Sequence, residues 1–290
     1  YSDFPNVYTP YWRNWLAGRI RRGPARAVER AHRDRLMVTS ESPEAVEEVL
    51  WMQFFDHLHD PSVSQVLDAS IENPGFESFY RDHVRKLLLV RGRQRYLAKA
   101  NYNVTRLGYL LKLFPDARFI VPVRNPVNHV ASLVKQDRLF TRLAGEDPRV
   151  ATQLRRSGHF EFGPGKRCIN AGDAAEARRI EGLWSQGRAA EGWARYWNAV
   201  YRGIRSATER DGKVREAVAL LRYEDLCGKP GPVIDHLLAH AGLPAEPFEP
   251  IRREFVAQLS EPDYYAPEFT PQELDEIENV TAETARWCGY

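Results

Sequence analysis

"FPDARFIVPVRNPVNHVASL", residues 114–133, is the stretch on which the fold turns. Ala117 to Val123 is an apolar run of strand length, bounded by Phe114-Pro115-Asp116 before it and Arg124-Asn125-Pro126 after it. Pro126 suits the first position of a helix because it has no N–H to leave unsatisfied, and Asn125 suits the cap before it. The stretch therefore predicts a buried strand that turns directly into a helix. A helix start favours an anion through its free N–H groups and its dipole. Ser132 lies seven residues beyond the cap, close to two full turns, so its hydroxyl returns to the same face. An arginine fork and a hydroxyl meeting there make a phosphate clamp. The competing reading pairs Arg124 with a carboxylate and bonds Ser132 to its own helix.

Upstream, "RYLAKAN" (Arg95 to Asn101) reads as a short strand, followed by a helix through "VTRLGYLLKLF". "EAVALLRYEDL" (residues 216–226) reads as a second buried strand. In "EGWARYWNAVYRGI", Trp193, Trp197, Val200 and Ile204 recur at three- and four-residue steps and predict an amphipathic helix. "TPQELDEIENVTAET" opens with a capping box, Thr270 with Glu273, and supplies the last helix. "SESPEAVEEVLWMQFF" predicts a helix start with Ser42 as cap, Pro43 first and Glu44 in the first turn. Residues 141–180 show no clear period and predict an irregular insertion. Apolar strands alternating with helices indicate an α/β fold with a parallel sheet covered on both faces, whose ligands sit at the carboxyl ends of the strands. Arg124, Asn101 and Tyr223 all fall at such ends.

The 290 residues are enough for one large domain or a domain with an insertion. The formal charge of +2 is near balance and demands no nucleic-acid partner. Only seven of the 41 basic residues are lysine, and arginine suits bidentate contact with phosphate, sulfate or carboxylate. Cys168, Cys227 and Cys288 lie far apart without metal-ligand spacing and fit a reducing, cytoplasmic setting. No stretch approaches the roughly 18 apolar residues of a membrane span. Residues 11–35 mix aromatics with arginines on one or two expected helices. They read either as a solvated face or as an acceptor or membrane-surface patch.

"FPDARFIVPVRNPVNHVAS" resembles the 3'-phosphate-binding segment of the PAPS-dependent sulfotransferases, PAPS being the activated sulfate donor. "LAKANYNVTRLGYLLKLFPDARF" is similar to that family's lysine-bearing strand and the helix after it. "LLRYEDLCGKP" with "HAGLP" resembles its later strand and helix, and "TPQELDEIENVTAETARWCGY" the ending of bacterial members. The resemblance covers most of residues 1–140 and 190–290, and implies a branch like the bacterial and Golgi-type enzymes. It implies a P-loop-type three-layer fold, with a central parallel sheet flanked by helices and residues 1–290 forming a single domain. Its implied reaction is transfer of a sulfonate from PAPS to a hydroxyl or amine acceptor, releasing 3',5'-ADP and requiring no metal. The acceptor would be a small molecule, a carbohydrate or a lipid.

By the same resemblance, Arg124 and Ser132 bind the 3'-phosphate, Tyr223 contacts the adenine, and Lys99 neutralises charge near the transferred sulfonate. Asn101 stands where cytosolic members carry a catalytic histidine. The base would instead be Asp3, or Glu48 with Glu44, or else His159 or His129. The family's first strand and Gly-rich 5'-phosphosulfate loop have no counterpart in the sequence, and "YSDFPNVYTPYW" resembles the segment after the family's first helix. The loop is therefore expected upstream of Tyr1. Two alternatives remain at this level: a P-loop-type nucleotide or small-molecule kinase, and a catalytically inactive nucleotide-binding module of the same fold.

Overall fold

The computed structural model describes residues 2, 7, 27–29, 37–39, 42, 46–261 and 267–290. Two short strands, β1 (Val28–Glu29) and β2 (Met37–Val38), pair antiparallel. The helices α1 (Glu48–Met52), α2 (Pro74–Arg91) and α3 (Leu107–Leu113) lead into strand β3 (Phe119–Val123). Helices α4 (Pro126–Glu146), α5 (Pro148–Arg156), α6 (Ala174–Ser185), α7 (Ala189–Arg210) and α8 (Gly212–Ala217) follow before strand β4 (Val218–Arg222). The chain ends with α9 (Tyr223–Gly228), α10 (Pro230–His240), α11 (Glu249–Gln258) and α12 (Pro271–Trp287). It divides into two compact units: residues 1–60, 70–103 and 136–167, and residues 61–69, 104–135 and 168–290.

The second unit is built on the decisive stretch. β3 and β4 pair in parallel, Phe119 opposite Val218 through to Val123 opposite Arg222. Successive strand side chains point to opposite faces, so Val121 and Val123 enter the core together. There they meet Leu107 and Leu111 of α3, Trp197, Tyr201 and Ile204 of α7, and Ala285 of α12. The expected helical period in α7 is realised: Trp193, Trp197 and Ile204 are each at most 2 % exposed. Burying each such side chain contributes about 2–3 kcal/mol before entropy is set against it. The capping box of α12 is complete, with Thr270 and Glu273 satisfying each other's backbone N–H. Thr284 Oγ1 then donates to Asn198 Oδ1 at 2.5 Å, tying α12 to α7.

The first unit packs Trp51 and Phe55 against Phe76 and Tyr80 of α2, with ring centroids 4.3–5.9 Å apart. Asn73 caps α2 by accepting from Phe76 N–H at 3.0 Å, with Pro74 at the first position. Gly92 ends the helix in the left-handed conformation, φ +58, which glycine adopts without steric cost.

Several expectations need correction. "RYLAKAN" is not a strand: residues 95–100 are irregular and Asn101–Thr105 is a 3₁₀ turn. Its large aliphatic residue, Leu97, is 66 % exposed, so the burial that would hold a strand is missing. On the face of β3 opposite Val121 and Val123, Ile120 is 40 % exposed among the described residues, while its neighbour Ala219 on β4 is buried. Residues 141–180 are irregular only between α5 and α6, because Asp147 and Asp173 cap helices on either side. Ser42 accepts from Thr39 N–H at 2.9 Å, and the described helix begins at Glu48. Pro43, Glu44, Asp3 and most of residues 11–35 lie outside the described residues.

Candidate nucleotide-phosphate site

The end of β3 delivers Arg124 as the chain turns into α4. Asn125 Oδ1 accepts from Val127 N–H at 3.1 Å and Asn128 N–H at 3.4 Å, while its carbonyl takes His129 N–H at 2.9 Å. Pro126 has no N–H, so the first turn of α4 leaves no free donor. This corrects the expectation of free N–H groups there: an anion would be held by side chains and the dipole.

β4 ends beside β3 because the two strands pair in parallel, and it delivers Tyr223 to the same edge. The Arg124 guanidinium lies over the Tyr223 ring, 5.1 Å from its centroid. That arrangement orients the fork and supplies cation–π attraction. Arg124 Nε is buried and has no hydrogen-bond partner among the described residues. A donor enclosed in this way costs free energy unless something accepts from it. Ser132 sits half-buried two turns along α4.

Glu224, Arg222 and Tyr290 complete the edge, none of them among the expected site residues. Glu224 Oε1 accepts from Asn125 N–H at 3.0 Å, and Glu224 Oε2 accepts from the Tyr290 hydroxyl. The same hydroxyl reaches Val123 O at 3.2 Å, and the Arg222 guanidinium lies 4.6 Å from the Tyr290 ring centroid. Burial, the Glu224 hydrogen bond and the Glu224 charge push the Tyr290 phenol up, against a smaller opposing pull from Arg222. The last residue of the chain thus braces the turn that carries Arg124. The signal was present in the acidic residue after Tyr223 and in the closing Gly-Tyr, but only the contacts connect them.

A model described as the sulfotransferase family matches residues 12–156. The chain belongs to the sulfotransferase family. The matched half includes Lys99, Arg124 and Ser132, while Tyr223, Glu224 and Tyr290 of this sulfotransferase lie beyond it. No curated protein and no solved structure matches the chain.

His129, a candidate base, lies on α4 in the second unit, whereas Lys99, Asn101, His159 and Glu48 of the sulfotransferase belong to the first. Lys99 is exposed on the irregular stretch before the 3₁₀ turn. Asn101 Nδ2 donates to Glu161 Oε1 at 3.0 Å, and His159 Nδ1 lies 3.5 Å from Glu161 Oε2. Burial pushes the Glu161 carboxyl up, but the His159 bond and charge and the Asn101 amide hold it below its ordinary range. Glu48 is 1 % exposed, with its Oε1 2.6 Å from His59 Nε2. The His59 ring is wedged between Tyr102 and Phe160. Glu48 is thus enclosed and paired with His59 inside the first unit.

Proposed function

We propose that this sulfotransferase moves a sulfonate group from PAPS to a hydroxyl or amine acceptor and releases 3',5'-ADP. The observation that carries this reading is Arg124: a guanidinium laid over Tyr223 at the carboxyl edge of the parallel strands, with a buried Nε that lacks an acceptor among the described residues. A terminal phosphate accepts from such a fork in two places, and Ser132 adds a hydroxyl from the next turns. Tyr223, at the same edge, would contact the adenine. Arg124 and Ser132 would fix the donor's register, so that attack in line with the leaving group gains from positioning.

By the family resemblance, Lys99, exposed on its long stem, would neutralise charge near the transferred sulfonate. A base would take the acceptor's proton; within the first unit His159 is 28 % exposed and paired with Glu161 through Nδ1, which suits it to that role. Release of 3',5'-ADP from PAPS, followed across a panel of hydroxyl and amine acceptors, tests the proposal. Expected are acceptor-dependent release and a loss of about 100-fold or more in Arg124→Gln and in His159→Ala. Release that ignores the acceptor, or full activity in Arg124→Gln, would contradict it.

A further inference from the structure

Asn125, the cap of α4, and His129 and Ser132 on the helix stand at i, i+4 and i+7, so His129 lies one turn from each neighbour on one face. That face begins next to Arg124. The Nδ1 of His129 is buried and, like Arg124 Nε, has no hydrogen-bond partner among the described residues. Two enclosed nitrogens without partners therefore flank the same turn, one on a cation and one on an imidazole. The His129 ring centroid sits 6.4 Å from that of Tyr201, whose hydroxyl donates to Pro122 O at 2.8 Å. The charged groups acting on it are Arg124 from the strand end and Glu224 from α9. Glu224 is already engaged by Asn125 and Tyr290.

We infer that His129 is a third ligand of the anion held by Arg124 and Ser132, donating an Nδ1 hydrogen to a phosphate oxygen as a neutral imidazole. The inference rests on the reading of this edge as a 3'-phosphate site and adds a residue to it. A neutral donor suits the position. A second full positive charge beside Arg124 would be repelled before the ligand arrived, whereas an N–H dipole adds a bond without that cost. Burial and the Arg124 charge already hold the imidazole neutral, at a pKa of about 4. The group thus discriminates between nucleotides that carry a phosphate at this place and those that do not.

The test is calorimetric titration of the whole chain with 3',5'-ADP and with 5'-AMP, for wild type, His129→Leu and His129→Asn. Leucine fills the volume without a donor, and asparagine restores an N–H close to the position of Nδ1. His129→Leu should bind 3',5'-ADP about ten-fold more weakly and 5'-AMP as the wild type does, while His129→Asn recovers most of the loss. In the wild-type complex, the nitrogen-15 spectrum should show His129 protonated at Nδ1. Undiminished binding of 3',5'-ADP by His129→Leu overturns the inference while leaving the clamp standing, as does an Nδ1 without hydrogen in the complex. A wild type that does not prefer 3',5'-ADP sinks the clamp itself, and His129's role with it.

Discussion

Arg124 acts on its neighbours as well as on any ligand. Its charge helps burial hold the His129 imidazole down to about 4, against the opposing carboxylate of Glu224. Removing that charge in Arg124→Gln should raise the His129 titration midpoint by about half a unit or more, read from its imidazole carbon resonances. An unchanged midpoint would mean that the guanidinium is turned away from this edge. Gly158 is a second residue whose identity is forced. Its φ is +74, and a Cβ there would stand 2.7 Å from Glu48 Cβ. Gly158→Ala should cost about 2 kcal/mol in chemical denaturation, from backbone strain and displacement of the Glu48–His59 pair together.

Helix ends were the most legible elements of the sequence, because a cap is a local bond between residues three or four apart. Thr270 with Glu273 and Asn125 with Pro126 were readable for that reason, and both are realised. Thr270→Ala should lower stability by about 1 kcal/mol in the same measurement. Strands were less legible, since a strand exists only if a partner covers it. "ARFIVPV" and "EAVALLRYEDL" found one another, but "RYLAKAN", equally short and carrying charges, did not. The candidate site divides along the same line. Arg124, Ser132 and Tyr223 could be picked out from a strand end, a helix period and a family resemblance. Glu224 to Tyr290 and His159 to Glu161 are contacts or placements that no local period announces. Tyr290→Phe tests that hidden brace. It should lower both stability and 3',5'-ADP affinity by a factor of about five, because Val123, Glu224 and Asn125 lose their common tie.

For the molecule as a whole, titration of His129 sets a stability window. Its folded pKa lies below its unfolded value near 6.5, so the unfolded chain binds the extra proton between about pH 6.5 and pH 4. The contribution of this group is therefore complete above pH 6.5 and is lost as the pH falls through that window. Chemical denaturation of the wild type against His129→Leu should show the wild type losing on the order of 2 kcal/mol relative to the variant over the interval. Glu47 works in the opposite sense. Burial raises its carboxyl pKa, with the Ser2 and Tyr80 hydrogen bonds resisting, so its share of stability fades as the pH rises past the unfolded value. The comparison with His129→Leu removes that second slope, because Glu47 is present in both proteins.

Everything proposed about function depends on one property of the β3 and β4 edge: that it grips a phosphate which ATP and 5'-AMP lack. Thermal shift of the whole chain with 3',5'-ADP against 5'-AMP, on wild type and on Ser132→Ala, measures that property most directly. A 3'-phosphate clamp gives a shift selective for 3',5'-ADP that shrinks in Ser132→Ala. Equal shifts with the two nucleotides, or a selective shift untouched by the loss of the Ser132 hydroxyl, would contradict it.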